Sequence, residues 1–118
     1  MLPVAVPARI YLSTRPVDFR KTFDGLSGEV RDFLGKDPAD GSLFVFYNRR
    51  RDRLKMLWWE GDGFWLFYKL LEAGTFQVPQ ASSPGTTACA LSAEQLHLIL
   101  SGVQLESVRW RKRYRVAA

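Results

Sequence analysis

One cysteine, Cys89, is all the chain has, so no disulfide can close within it and no cysteine-rich zinc site can be assembled. His97 is the lone histidine. With no second imidazole beside it, it reads as a partly packed structural residue and not as a metal ligand. No run approaches the roughly 18 apolar residues that a bilayer span requires. Residues 1–8 hold Pro3 and Pro7 and no basic residue, which is the composition of a flexible leader and not of a secretory signal. No internal repeat is present. The carboxylates Asp18, Asp24, Asp37, Asp40, Glu60 and Asp62 lie at a helix start, on a helix, or beside Gly and Pro in turns. They show none of the spacing that metal-assisted hydrolysis needs, so no catalytic residue, metal or cofactor is expected. A reducing cytoplasm is the expected location, at the nucleoid if DNA is bound.

Acidic residues are also missing from the last twelve positions, and there the net charge of +5 arises. Arg109, Arg111, Lys112, Arg113 and Arg115 stand unopposed, whereas the cations and acids of residues 1–106 cancel. A second concentration is Arg49, Arg50, Arg51, Arg53 and Lys55, with only Asp52 among them. Charge gathered in patches tracks a polyanionic partner better than net charge does. With 47% hydrophobic and 25% charged residues over 118 positions, the rest has the balance of one soluble domain.

Periodicity places the elements. Arg9–Ser13 reads as a short edge strand. Phe19, Phe23, Leu26, Val30, Phe33 and Leu34 recur at helical spacing, which predicts a long helix from about Asp18, as N-cap, to Leu34, stopped by Gly35. Gly25 and Gly28 within it imply a close neighbour to the backbone. Leu43–Tyr47, Arg53–Glu60 and Phe64–Leu71 read as three antiparallel strands, with turns at Asn48–Asp52 and Gly61-Asp62-Gly63. Phe76 and Val78 are expected to add a short fourth strand. Residues 79–90 read as a flexible loop. Ser92 and Gln95 form a capping-box pattern opening a short helix to about Ser101. The expected fold is α+β, an antiparallel meander of three to four strands with the long N-terminal and the short C-terminal helix on one sheet face. The domain is expected over 9–106, followed by a basic tail over 107–118.

Several segments carry a family resemblance in this order: Pro16–Leu26, Asp37-Pro38 with Gly41, Leu43–Lys55, Trp58–Phe64, Phe67–Lys69, Leu71-Glu72 with Gly74 and Phe76, and Leu91-Ser92 with Gln95-Leu96. Over roughly 9–103 the chain resembles the TnpB-type accessory proteins, second open reading frame products, of the IS sixty-six family of insertion sequences. It departs from them at Thr22, where glycine is common, and in its tail. Such proteins are encoded beside a DDE-type transposase. The resemblance therefore implies a non-catalytic accessory protein of DNA transposition, whose partners are DNA at a transposon end, the transposase and a co-encoded accessory protein.

Beside that expectation stand the residues. Four arginines at a hairpin tip suit phosphate contact, and they equally suit a solvated tip that keeps an edge from aggregating. The tail alternates cations with Trp110 and Tyr114, a pattern of a single-strand binder or of an edge strand docked on a core. Adjacent Trp58 and Trp59 must point to opposite sheet faces. One is core, and Trp59 with Trp65 is the candidate partner-binding pair. The alternative to DNA contact is thus a protein-interaction module that binds the transposase or a co-encoded partner.

Overall fold

The computed structural model describes residues 6–102, Ser82 excepted. Leu43–Tyr47 (β2) organises it. All five residues, Leu-Phe-Val-Phe-Tyr, are buried, so the strand needs cover on both faces and a neighbour on both edges. On one edge it pairs antiparallel with Arg53–Glu60 (β3), which pairs in turn with Gly63–Leu70 (β4). On the other edge it pairs in parallel with Ile10–Ser13 (β1), and Ala88–Leu91 (β5) closes that side antiparallel to β1. The order is β4-β3-β2-β1-β5.

The helices cover opposite faces. Phe23–Glu29 (α1) continues through a π-helical segment, Val30–Leu34, to Gly35, whose φ of 68° makes the left-handed stop that glycine adopts cheaply. Leu26, Val30 and Leu34 of this segment pack on Phe44, Phe46 and Leu57. Ala93–Leu100 (α2) seals the other face, with Leu96 and Ile99 against Leu43, Val45, Leu54, Met56 and Phe76. Its capping box is formed as the sequence predicts. The Gln95 backbone N–H donates to Ser92 Oγ (3.0 Å), and Gln95 Oε1 accepts from the Ser92 N–H (2.8 Å).

The antiparallel meander of three to four strands under one long helix is therefore overturned. The sheet is mixed and five-stranded, and the N-terminal helical segment spans only Phe23–Leu34. Four local facts explain the difference. Asp18 is not an N-cap. Its carboxylate accepts the Arg20 backbone N–H (2.9 Å) and the Arg20 guanidinium, holding the chain in a turn ahead of the helix, which begins only at Phe23. The strand over Arg9–Ser13 exists, but parallel pairing with β2 makes it interior and not an edge. Phe76 is fully buried as a plug from irregular backbone, with no strand around it. The last positions of the expected loop over 79–90 instead form β5, whose small residues Ala88, Cys89 and Ala90 carry no strand signal of their own.

Gly25 does meet a close neighbour, since an added Cβ would lie 2.8 Å from Lys21 Cβ, while Gly28 has open space around it. Phe23, counted by periodicity on the buried face, is 43% exposed, whereas Leu26 is fully buried. Leu26→Ala should thus cost about 2–5 kcal/mol in urea unfolding, and Phe23→Ala less than about 1 kcal/mol. Equal costs would contradict this helix orientation.

Candidate nucleic-acid interface

The hairpin joining β2 to β3 is built by Asn48. Its carbonyl accepts the Arg51 N–H (3.0 Å), and its side-chain oxygen accepts the N–H groups of Asp52 (3.1 Å) and Arg53 (3.0 Å). Its side-chain nitrogen donates to the Asp52 carboxylate (2.7 Å), which holds the Asp52 carboxyl below the usual range. Arg51 sits at φ 60°, the left-handed region that costs a non-glycine residue about 1–2 kcal/mol. A second strap secures the tip: the Phe76 N–H donates to Arg51 O (2.6 Å) and the Leu71 N–H to Asp52 O (2.8 Å). The turn is rigidly specified, and its arginines project from a fixed base.

These arginines do not all point one way. Arg49, Arg50 and Arg53 line a shallow depression with Asn48 on the α1 face, together with Asp18, Phe19 and Arg20 from the segment before α1. Four guanidiniums there meet one lining carboxylate. Asp18 is held by Arg20 through side-chain hydrogen bonds of 2.6–3.2 Å, and chiefly for that reason its carboxyl is lowered to about 2. It therefore stays ionised throughout the neutral range, and Arg20 keeps one flank free, with its side chain 91% exposed. Arg50 approaches Asp52 only at 3.9 Å, an exposed pair of little strength. Arg51 leans instead toward the Tyr47 ring, 5.7 Å away, on the α2 face.

Lys55 turns inward. It is 2% exposed, and its ammonium donates to the carbonyls of Phe19 (2.9 Å) and Lys21 (2.7 Å) between the rings of Phe19 and Tyr68, each 4.9 Å away. No carboxylate faces it in these contacts. Its charge is spent on tying β3 to the segment that carries Arg20, so Lys55 leaves the set of phosphate-contact candidates and becomes a support for them. Arg53 is fixed beside it by donating to Tyr68 Oη (2.8 Å).

Sequence reasoning missed Arg20, because the residues that meet it lie about thirty positions further on. Only its adjacency to Lys21 marked a basic spot. The tail cations Arg109, Arg111, Lys112, Arg113 and Arg115 lie outside the described residues. Trp59 and Trp65 do not form one patch. Trp59 pairs with Phe64 on the α1 face, and Trp65 pairs with Trp58 on the α2 face. Trp65 remains 46% exposed, its indole N–H donating to Glu60 Oε1 (2.7 Å). No helix among the described residues is long and apolar enough to cross a membrane, and no group of three or more His, Cys, Asp or Glu among them could hold a metal.

The family model described as IS66 Orf2 like protein matches residues 8–110. The chain belongs to that family. Membership associates it with an insertion sequence, as an accessory protein of transposition, and the family is not a known catalytic one. Two proteins of Sinorhizobium fredii (strain NBRC 101917 / NGR234) are similar over most of their length. Uncharacterized protein y4hO is 39% identical over 103 residues, 87% of each chain. Uncharacterized protein y4jC is 38% identical over 101 residues, 86% of this chain and 84% of its own. No solved structure matches significantly.

The division of labour among the cations is testable by stability alone. Lys55→Ala should lower unfolding free energy by about 2–4 kcal/mol, the scale of two charge-assisted hydrogen bonds left unmade. Arg49→Ala and Arg50→Ala should stay within about 0.5 kcal/mol. A Lys55 variant as stable as the parent in urea unfolding would return that ammonium to the surface.

Proposed function

We propose that this protein is a non-catalytic accessory subunit of transposition that binds DNA at or near transposon ends, together with the transposase, through the depression formed by Arg20, Arg49, Arg50 and Arg53. The observation that carries this reading is the convergence of four guanidiniums from two chain segments beside a rigid hairpin, of which Arg20 is paired with Asp18 and the three hairpin arginines have no carboxylate closer than 3.9 Å among the described residues. Guanidinium forks match phosphate geometry, and a fixed base keeps the ordering cost of binding low. The reading concerns backbone contact. Phosphate contacts set affinity and register and carry no sequence information by themselves, so choice of the transposon end falls to the transposase or to the basic tail.

A second reading has its own support. Trp65 is a large exposed aromatic, and such residues are favoured at protein interfaces, so an interaction module for the transposase or a co-encoded partner remains the competing function.

Titrating the protein into a labelled transposon end and a scrambled duplex over a range of salt separates the two. If the four arginines of the depression engage phosphates, log affinity should fall against log salt with a slope of about −4, steeper if the tail cations add to it. The triple variant with alanine at Arg49, Arg50 and Arg53 should flatten that slope by about 3. Binding that is absent at low salt, or unchanged in the variant, would reject the depression as the DNA site.

A further inference from the structure

The outer edge of β4 is unlike the other end of the sheet. β5, at the opposite edge, has four residues, whereas β4 has eight in unbroken register with β3 from Glu60↔Gly63 to Arg53↔Leu70. Among the described residues, nothing pairs with its far side. Exposed strands are ordinarily blunted by shortness, proline, a bulge or outward charge. β4 has no proline and no bulge, and its one charged residue, Lys69, is turned back to donate to Leu100 O (2.8 Å). Of the four exposed large hydrophobics among the described residues, three lie on this strand: Trp65 (46%), Tyr68 (50%) and Leu70 (45%).

We infer that β4 is the homodimer interface of this protein, pairing antiparallel with β4 of a second copy to form a continuous ten-stranded sheet. A second copy fits because the edge is self-complementary. The two-residue turn Gly61-Asp62 makes Glu60 and Gly63 a hydrogen-bonded pair, so the backbone groups of Phe64, Leu66, Tyr68 and Leu70 point outward. A two-fold axis through Phe67 brings those four residues opposite one another, Phe64 against Leu70 and Leu66 against Tyr68 of the second copy, with about eight backbone hydrogen bonds between them. Every one of those side chains is apolar or aromatic and lies on the α1 face. On the α2 face Trp65 meets Lys69, so a cation lies beside an indole and the two Lys69 residues never oppose each other. An axis perpendicular to the sheet also leaves both basic depressions on the same side of the doubled sheet. The inference rests on the edge itself and holds whether or not those depressions take DNA.

The test is sedimentation of the full chain without DNA, up to about 100 μM, beside Trp65→Lys and Trp65→Glu. Trp65 is half exposed, so circular dichroism should show both variants folded. The expected result is a species of about 27 kDa, twice the 13.5 kDa chain. Trp65→Lys, which sets like charges opposite each other, should weaken it at least about tenfold, and Trp65→Glu, which faces Lys69 of the second copy, distinctly less. A monomer throughout would overturn the proposal and return the edge to a different partner. A dimer that Trp65→Lys leaves intact would overturn it too, and equal loss in the two variants would refute the register.

Discussion

A strand that is apolar on both faces cannot sit at the surface of anything, and Leu43–Tyr47 is such a strand. Its burial requires a layer above, a layer below and a paired neighbour on each side. Each requirement is met by a different part of the chain. The segment between β1 and β2 supplies α1 for Phe44 and Phe46, and α2 covers Leu43, Val45 and Tyr47. The parallel partner β1 has to come from the N-terminus, because the chain leaving β2 turns straight back as β3. Burying five bulky side chains at about 1.5–3 kcal/mol each gives that arrangement its driving force. The basic hairpin is a by-product of this geometry, since it is the turn by which the most buried strand leaves the core.

Lys55 then links the core to the candidate interface. Its stem lies on the α1 face among apolar residues, and its ammonium satisfies two carbonyls of the segment holding Arg20. Position along β3 therefore decides what each cation does. Arg53 and Lys55 share a face two residues apart, yet Arg53 is exposed at the rim and Lys55 is enclosed by Phe19 and Tyr68. A charge count over the sequence treats them alike; the fold separates an exposed cation from a structural one.

The parts legible in the sequence were those specified locally. Two-residue alternation and the Gly-Asp-Gly turn located β3 and β4, the Ser92–Gln95 box located α2, and Gly35 marked a helix end. What escaped was set by distant partners. β5 exists because β1 offers it a ladder, not because Ala-Cys-Ala-Leu favours extension. The early start assigned to the helix failed because Asp18 binds Arg20 in place of capping. Lys55 did carry a partial sign, since two-residue alternation along β3 groups it with Leu57 and Trp59, but nothing local says whether that face is covered. The pairing of Trp59 with Trp65 in one patch ignored the register, which places them on opposite faces.

Two segments far apart in the chain are proposed to act as one phosphate-binding surface. Amide chemical shifts of the labelled protein, followed while a transposon-end duplex is added, address it directly. Signals of residues 18–21 and 48–53 should move together with one saturation curve, while those of β5 and α2 stay in place. Movement confined to other parts of the chain, or saturation of the two segments at different duplex concentrations, would contradict it.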